Sequence, residues 1–177
     1  MNQTVKTKAK SPRTKVAAAP SDVEHNASEV EEFIHTLTLF LLAHLQIADC
    51  ADRELEPLNM HRTHHRILFF CARCPGRSVG ELVTALRLTP QAVQTPMRAL
   101  IQNGWVEQRK SKSDGRQRQL YLTASGRATH RKLARRQFKL LAEAREKVGE
   151  AAFEGFVETM RAIARHEDLQ LFDEAQD

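Results

Sequence analysis

Residues 91–102, QAVQTPMRALIQ, carry amides, a hydroxyl and a guanidinium at helical intervals. On a wheel at ~100° per residue, Gln91, Gln94, Thr95, Arg98 and Gln102 gather on one side. Ala92, Val93, Pro96, Met97, Ala99 and Leu100 gather on the other. The polar set suits base-pair edges in a major groove. Glutamine can bond adenine at two atoms, arginine can do the same with guanine, and threonine can meet a thymine methyl. Just downstream, Arg109, Lys110, Lys112, Arg116 and Arg118 surround an Asp-Gly dipeptide, a charge density suited to phosphate. Any amphipathic surface helix has a polar face, so the first set alone says little. The two sets in succession point to DNA.

Other side chains suggest different chemistry. Cys71 and Cys74 form a C-x-x-C, a spacing used by redox pairs and by half of a zinc site. No second pair exists, and Cys71 follows the apolar ILFF, which favours packing. His61, His64 and His65 in MHRTHHR have i, i+3 and i, i+4 spacing on a helix. With Cys50 and His130 they could compose a metal-sensing site, and exposed histidines are the simpler reading. The sequence contains no P-loop, no G-x-G-x-x-G, no G-x-S-x-G and no H-E-x-x-H, the spacings that phosphate cradles, nucleophile elbows and zinc proteases require. A non-enzyme without cofactor or metal is expected.

The elements that must position these groups can be read from periodicity and punctuation. From about Ser28, Val30, Ile34, Leu37, Leu41, Leu45 and Ala48 fall three or four apart, with Phe33, Phe40 and Ile47 widening the stripe. An apolar face this broad needs more partner surface than one small domain offers. Pro57 ends that helix. A second helix spans roughly 60–74, and Pro75-Gly76 stops it. Ser78 can cap a short third helix carrying Val79, Leu82, Val83 and Leu86. Thr89 followed by Pro90 is a hydroxyl cap with proline at the first helical position, so a fourth helix runs to about Gln102 and closes at Asn103-Gly104. Pro96 lies inside it, on the apolar side. Its missing N–H forfeits the bond to Ala92, and its ring should bend the helix there.

WVEQRK then alternates as a strand, SKSDG turns, and RQLYL alternates back, a hairpin with a basic tip. Thr123 can cap a long helix carrying Leu133, Leu140, Leu141 and Val148. A last helix after Gly149 brings Phe153, Phe156, Val157, Met160 and Ile163. The expected architecture is mainly α with a small β-hairpin wing. It comprises a basic arm at 1–22, partner-seeking dimerisation helices at 28–57 and 149–172, a winged helix-turn-helix at 60–123 and a connecting helix at 124–148. In it, Thr89, Gln91, Gln94, Thr95 and Arg98 face bases or their phosphates. Arg77 and the helix start at Ser78 hold phosphate. Lys110, Lys112, Arg116 and Arg118 work in the wing, with Arg116 the candidate for minor-groove insertion.

Charge distribution agrees. The chain has 177 residues and a net charge of +5. Residues 21–60 carry one Lys/Arg against nine Asp/Glu, whereas 73–118 carry nine Lys/Arg against three. A positive middle segment is the footprint expected of a polyanion binder. Residues 1–20 carry five Lys/Arg and no acid and read as a disordered, DNA-touching or solubilising arm. Three cysteines do not suggest a disulfide scaffold, which makes a reducing cytoplasm the default. No apolar run is expected to reach the ~20 residues that span a bilayer.

SDGRQRQLYLTASG, residues 113–126, resembles the wing signature of the MarR family of bacterial regulators, through Asp114, Arg116, Arg118, Leu120, Leu122, Thr123 and Gly126. SVGELVTALRLTPQAVQTPMRALIQNGWVEQ resembles its helix-turn-helix, and the likeness covers about residues 28–172. The resemblance implies a homodimer whose first and last helices interlock, binding a pseudo-palindromic double-stranded DNA operator. It implies a transcriptional regulator, usually a repressor, often relieved by a small ligand or an oxidant. Gly115 stands where bulkier residues are usual between the aspartate and the arginine, and Pro96 is uncommon in the recognition helix.

Overall fold

The computed structural model describes residues 26–111 and 117–173. The arm at 1–22 lies outside them, as do Lys112 and Arg116 at the hairpin tip. The chain divides into two compact units, residues 1–39 and 40–177. In the first, the described residues open α1 (Ala27–Leu55). Asn26 caps it reciprocally: the Glu29 N–H donates to Asn26 Oδ1 and the Asn26 N–H to a Glu29 carboxylate oxygen, each at 3.0 Å. Val30, Phe33, Ile34 and Leu37 are all exposed. The helix corrects one expectation. It contains an eighteen-residue window of mean hydropathy 1.4 and, by length and composition alone, could cross a membrane. Its few charges sit near the ends, and two histidines, two threonines and Gln46 interrupt the apolar residues between.

The second unit is built round α2 (Arg62–Arg73), whose Ile67, Leu68, Phe70 and Cys71 are buried. A 3₁₀ turn at Glu56–Leu58 holding Pro57 precedes it. Three hydroxyl caps set the elements that follow. Ser78 begins α3 (Val79–Ala85) and Thr89 begins α4 (Pro90–Gln102), with Pro90 at the first helical position. Thr123 begins α5 (Ala124–Val148). Between α4 and α5, strands β1 (Val106–Lys110) and β2 (Arg118–Leu122) pair antiparallel, from Val106 opposite Leu122 to Lys110 opposite Arg118. Val106, Leu120 and Leu122 point inward in the period-2 pattern. A third short segment was not anticipated. The Gly76 N–H donates to the Leu120 carbonyl and the Leu120 N–H to the Arg77 carbonyl, both at 2.8 Å, and Ser78 bridges Gln119.

α2 packs against α4, α5 and β2. α4 runs through Pro96 without interruption, and Val93, Pro96, Met97 and Leu100 are buried. Ala92, expected on that face, is exposed instead, whereas its neighbour Val93 in the same turn is buried.

After α5 the single expected last helix is two. α6 (Glu150–Ile163) ends where Ala164 turns extended (ψ 144°), and α7 (His166–Asp173) follows. No glycine or proline marks the break. It lets α7 lay Leu171 and Phe172 on the core, burial the sequence pattern did not reveal. Phe156, Val157 and Ile163 of α6 stay exposed.

Gly126 in the first turn of α5 lies against the backbone of α4's exit. A Cβ there would sit 1.9 Å from the Trp105 carbonyl oxygen. Gly126→Ala is expected to lower stability by about 1–3 kcal/mol or more, read as a reduced urea midpoint.

Candidate nucleic-acid interface

Gln91, Gln94, Thr95, Arg98 and Gln102 are all exposed on α4. A groove of about 590 Å³ runs along one edge of that side, where Gln91, Gln94, Arg98 and Gln102 meet the apolar Val79, Val93, Met97 and Ile101, and it reaches Gln108 of β1. The groove joins the helix to the base of the hairpin. Ile101, 37% exposed, adds apolar surface that the wheel did not single out. Thr89 caps the helix: its hydroxyl accepts from the Ala92 N–H at 3.1 Å, a bond that leaves its O–H able to donate.

Arg77 and Ser78 are likewise engaged. Ser78 Oγ accepts from the Glu81 N–H at 3.2 Å, and the Ser78 N–H donates to Glu81 Oε2 at 2.7 Å. Arg77 Nη1 pairs with Glu81 Oε1 at 3.1 Å. These bonds from Ser78 and Arg77 outweigh burial and hold the Glu81 carboxyl below its ordinary range. A phosphate at this helix start would have to share its donors with Glu81.

On the hairpin, Lys110 and Arg118 are exposed opposite each other. Arg109 is fixed, its guanidinium 4.4 Å from the centre of the Tyr121 ring and paired with Glu107. Tyr121 also fills the space beside Gly76, where a Cβ would lie 2.9 Å from the phenol oxygen. The wing base is therefore braced by Arg109, while Lys110 and Arg118 face solvent.

The cysteines and histidines occupy structural positions. Cys71 and Cys74 are buried, and burial pushes the Cys71 thiol up to about 12, far from the lowered range of a reactive thiolate. Cys74 Sγ donates to the Leu171 carbonyl at 3.6 Å. The C-x-x-C is thus packing, with one bond to α7. His64 Nδ1 accepts the His61 N–H at 3.2 Å, so these two rings close the start of α2. Among the described residues no three His, Cys, Asp or Glu side chains are placed to hold a metal. Among the described residues, His65 and His130 each keep a buried Nε2 with no hydrogen-bond partner. Burial lowers both pKa values, helped for His65 by His130 and for His130 by Arg131.

A helix-turn-helix followed by a two-stranded basic ribbon defines a winged-helix DNA-binding protein. Residues 58–117 match the model of the MarR family. The chain is 35% identical over 112 residues to the HTH-type transcriptional regulator PetP of Rhodobacter capsulatus, covering 63% of this chain and 68% of that protein. Its fold is similar to a MarR family regulator from Silicibacter pomeroyi (TM-score 0.68, 17% identity, 81% of this chain and 99% of that one). It is similar too to a MarR family protein of Mycobacterium tuberculosis in complex with salicylic acid (TM-score 0.53, 25% identity, 71% and 93%). The chain belongs to the MarR family of transcription regulators, proteins that bind DNA, and is not an enzyme.

Two measurements check the histidine and cysteine assignments. At neutral pH a thiol reagent should modify half-buried Cys50 while Cys71 and Cys74 stay unmodified until the protein unfolds, as read by mass spectrometry. His65 and His130 have folded-state values below the ordinary 6.5. The unfolded chain therefore takes up protons that the folded one refuses. Their contribution is complete above about pH 6.5 and is lost as pH falls below it. The urea midpoint should drop between about pH 7.5 and pH 5.5, and His65→Phe should flatten the drop.

Proposed function

We propose that this protein is a cytoplasmic repressor that binds a pseudo-palindromic operator as a homodimer. The observation that carries the reading is the exposed face of α4 beside a basic hairpin. Gln91, Gln94, Thr95 and Arg98 read base edges. Arg77, Ser78, Thr89, Lys110 and Lys112 take phosphates, and Arg116 and Arg118 work at or in the minor groove. The exposed apolar stripes of α1 and α6 are surfaces for a second copy of the chain, since patches of that extent rarely stay open to water. Two copies would set two recognition helices one DNA turn apart, ~34 Å.

The Mycobacterium tuberculosis relative holds salicylic acid. By that likeness a small effector regulates this protein too. Binding that favours a different spacing of the two α4 helices would release the operator, by the same free energy with which DNA opposes the effector.

A footprint on the DNA upstream of the protein's own gene should show two half-sites. On that duplex Arg98→Ala should cost about 1–3 kcal/mol and relax selectivity at one base pair. Arg116→Ala should weaken binding to all sequences and reduce the salt slope by about one. An Arg116→Ala protein with unchanged affinity and slope would remove the wing from the mechanism.

A further inference from the structure

Arginine is an unexpected choice at position 87. α3 ends with the Arg87 N–H donating to the Thr84 carbonyl and the Leu88 N–H to the Val83 carbonyl, both at 3.1 Å. This is a Schellman closure, and it puts Arg87 in the left-handed region at φ 49°. Glycine is the usual residue there, because a side chain strains the backbone. Such strain persists where the side chain has a use. Here the side chain reaches 81 residues along the chain: Arg87 Nη2 donates to Asp168 Oδ2 of α7 at 3.0 Å.

Asp168 is held for that contact. Arg165 Nε and Nη2 grip the same carboxylate at 2.9 and 3.0 Å. Its side chain is 22% exposed, against 64% for Arg87. α7 is anchored on α2 as well. The Phe172 ring stands edge-on to Phe70 at 6.3 Å, and the Leu171 carbonyl accepts from Cys74. From α2 itself, the Arg66 guanidinium bonds the Leu86 carbonyl one residue before Arg87. The turn between α3 and α4 is therefore held from both α2 and α7.

We infer that α7 is a clasp on the helix-turn-helix, and that Arg87–Asp168 is a positioning pair that fixes the turn from which the recognition helix α4 departs. The chain end thereby biases the DNA-binding surface without touching DNA. The inference rests on α4 binding DNA. The competing role is that Arg87, exposed and next to the first turn of α4, meets a phosphate directly. The two roles predict opposite signs. Removing the Asp168 charge frees Arg87 and raises net charge, which strengthens a phosphate contact and loosens a clasp.

The full-length protein is titrated against the footprinted duplex and a scrambled duplex of equal length, over a range of salt. For Asp168→Asn the clasp predicts operator affinity roughly three- to fivefold weaker, the range of an exposed ion pair. Scrambled-duplex affinity should stay level or rise, with no change in salt slope and a near-native melting temperature. Asp168→Glu should restore operator affinity. Arg87→Gly relieves the strained backbone and so should melt no lower, yet bind the operator more weakly with an unchanged slope. Operator binding by Asp168→Asn equal to or tighter than wild type overturns the clasp. So does a slope reduced by about one in Arg87→Gly, which reassigns Arg87 to phosphate. A wild-type protein that binds neither duplex removes the DNA reading itself, and the clasp with it.

Discussion

The DNA-facing elements meet at one hydroxyl. Thr123 Oγ1 donates to the Gly104 carbonyl at 2.6 Å and accepts from the Gly126 N–H at 3.0 Å. The Thr123 N–H donates to the Trp105 carbonyl at 3.1 Å. The exit of α4, the entry of β1, the end of β2 and the start of α5 are therefore tied within one residue's reach. Strand register follows from that tie. A slip of one residue would turn Leu120 and Leu122 to solvent and polar Gln119 toward the core. The Gly126 contact excludes alternatives to the same junction, since any side chain would displace the Trp105 carbonyl. With the junction fixed, the groove between α4 and Gln108 has a defined width, and the exposed cations of the hairpin have a defined place beside the polar face of α4.

Much of this was legible because it is local. Thr89-Pro90, Ser78 three residues before Glu81, and Thr123 after an alternating apolar run are chemical signals for helix starts, and the structure uses all three hydroxyls as caps. The β1–β2 hairpin follows from alternation at Val106–Lys110 and Arg118–Leu122. The exposed set on α4 follows from the wheel, except at Ala92, which the wheel puts on the apolar side and the structure leaves exposed.

What stayed hidden is non-local. The pairing of 76–78 with β2 depends on two carbonyls and two N–H groups that no side chain announces. The break between α6 and α7 lacks glycine or proline and exists because Leu171 and Phe172 gain burial against a helix a hundred residues earlier. Arg87 reads as one more surface cation until its φ and its partner are known. Charge totals misled in the same way. Residues 119–177 balance overall, yet 127–139 hold six cations and no acid. In the fold, Lys132 and Arg136 meet Glu54, Arg127 donates to the Leu122 carbonyl, and Lys139 meets Glu143. Three of those six cations, Arg127, Lys132 and Arg136, therefore tie α5 to β2 and α1.

Pro96 shows how local and tertiary terms combine. A proline inside a helix removes one N–H and crowds the carbonyl four residues back, a penalty of about 3 kcal/mol in a regular interior. Two features of this fold reduce it. The carbonyl left without its partner belongs to Ala92, which is exposed, so water can take the bond that a buried acceptor would lose outright. The ring itself faces inward among Val93, Met97 and Leu100, where apolar burial stabilises by about 25 cal/mol per Å². The same residue on the outer face would lose the burial term and put its ring among Gln91, Gln94 and Arg98. Placed inward, it leaves those groups free to face solvent, and the helix continues to Gln102.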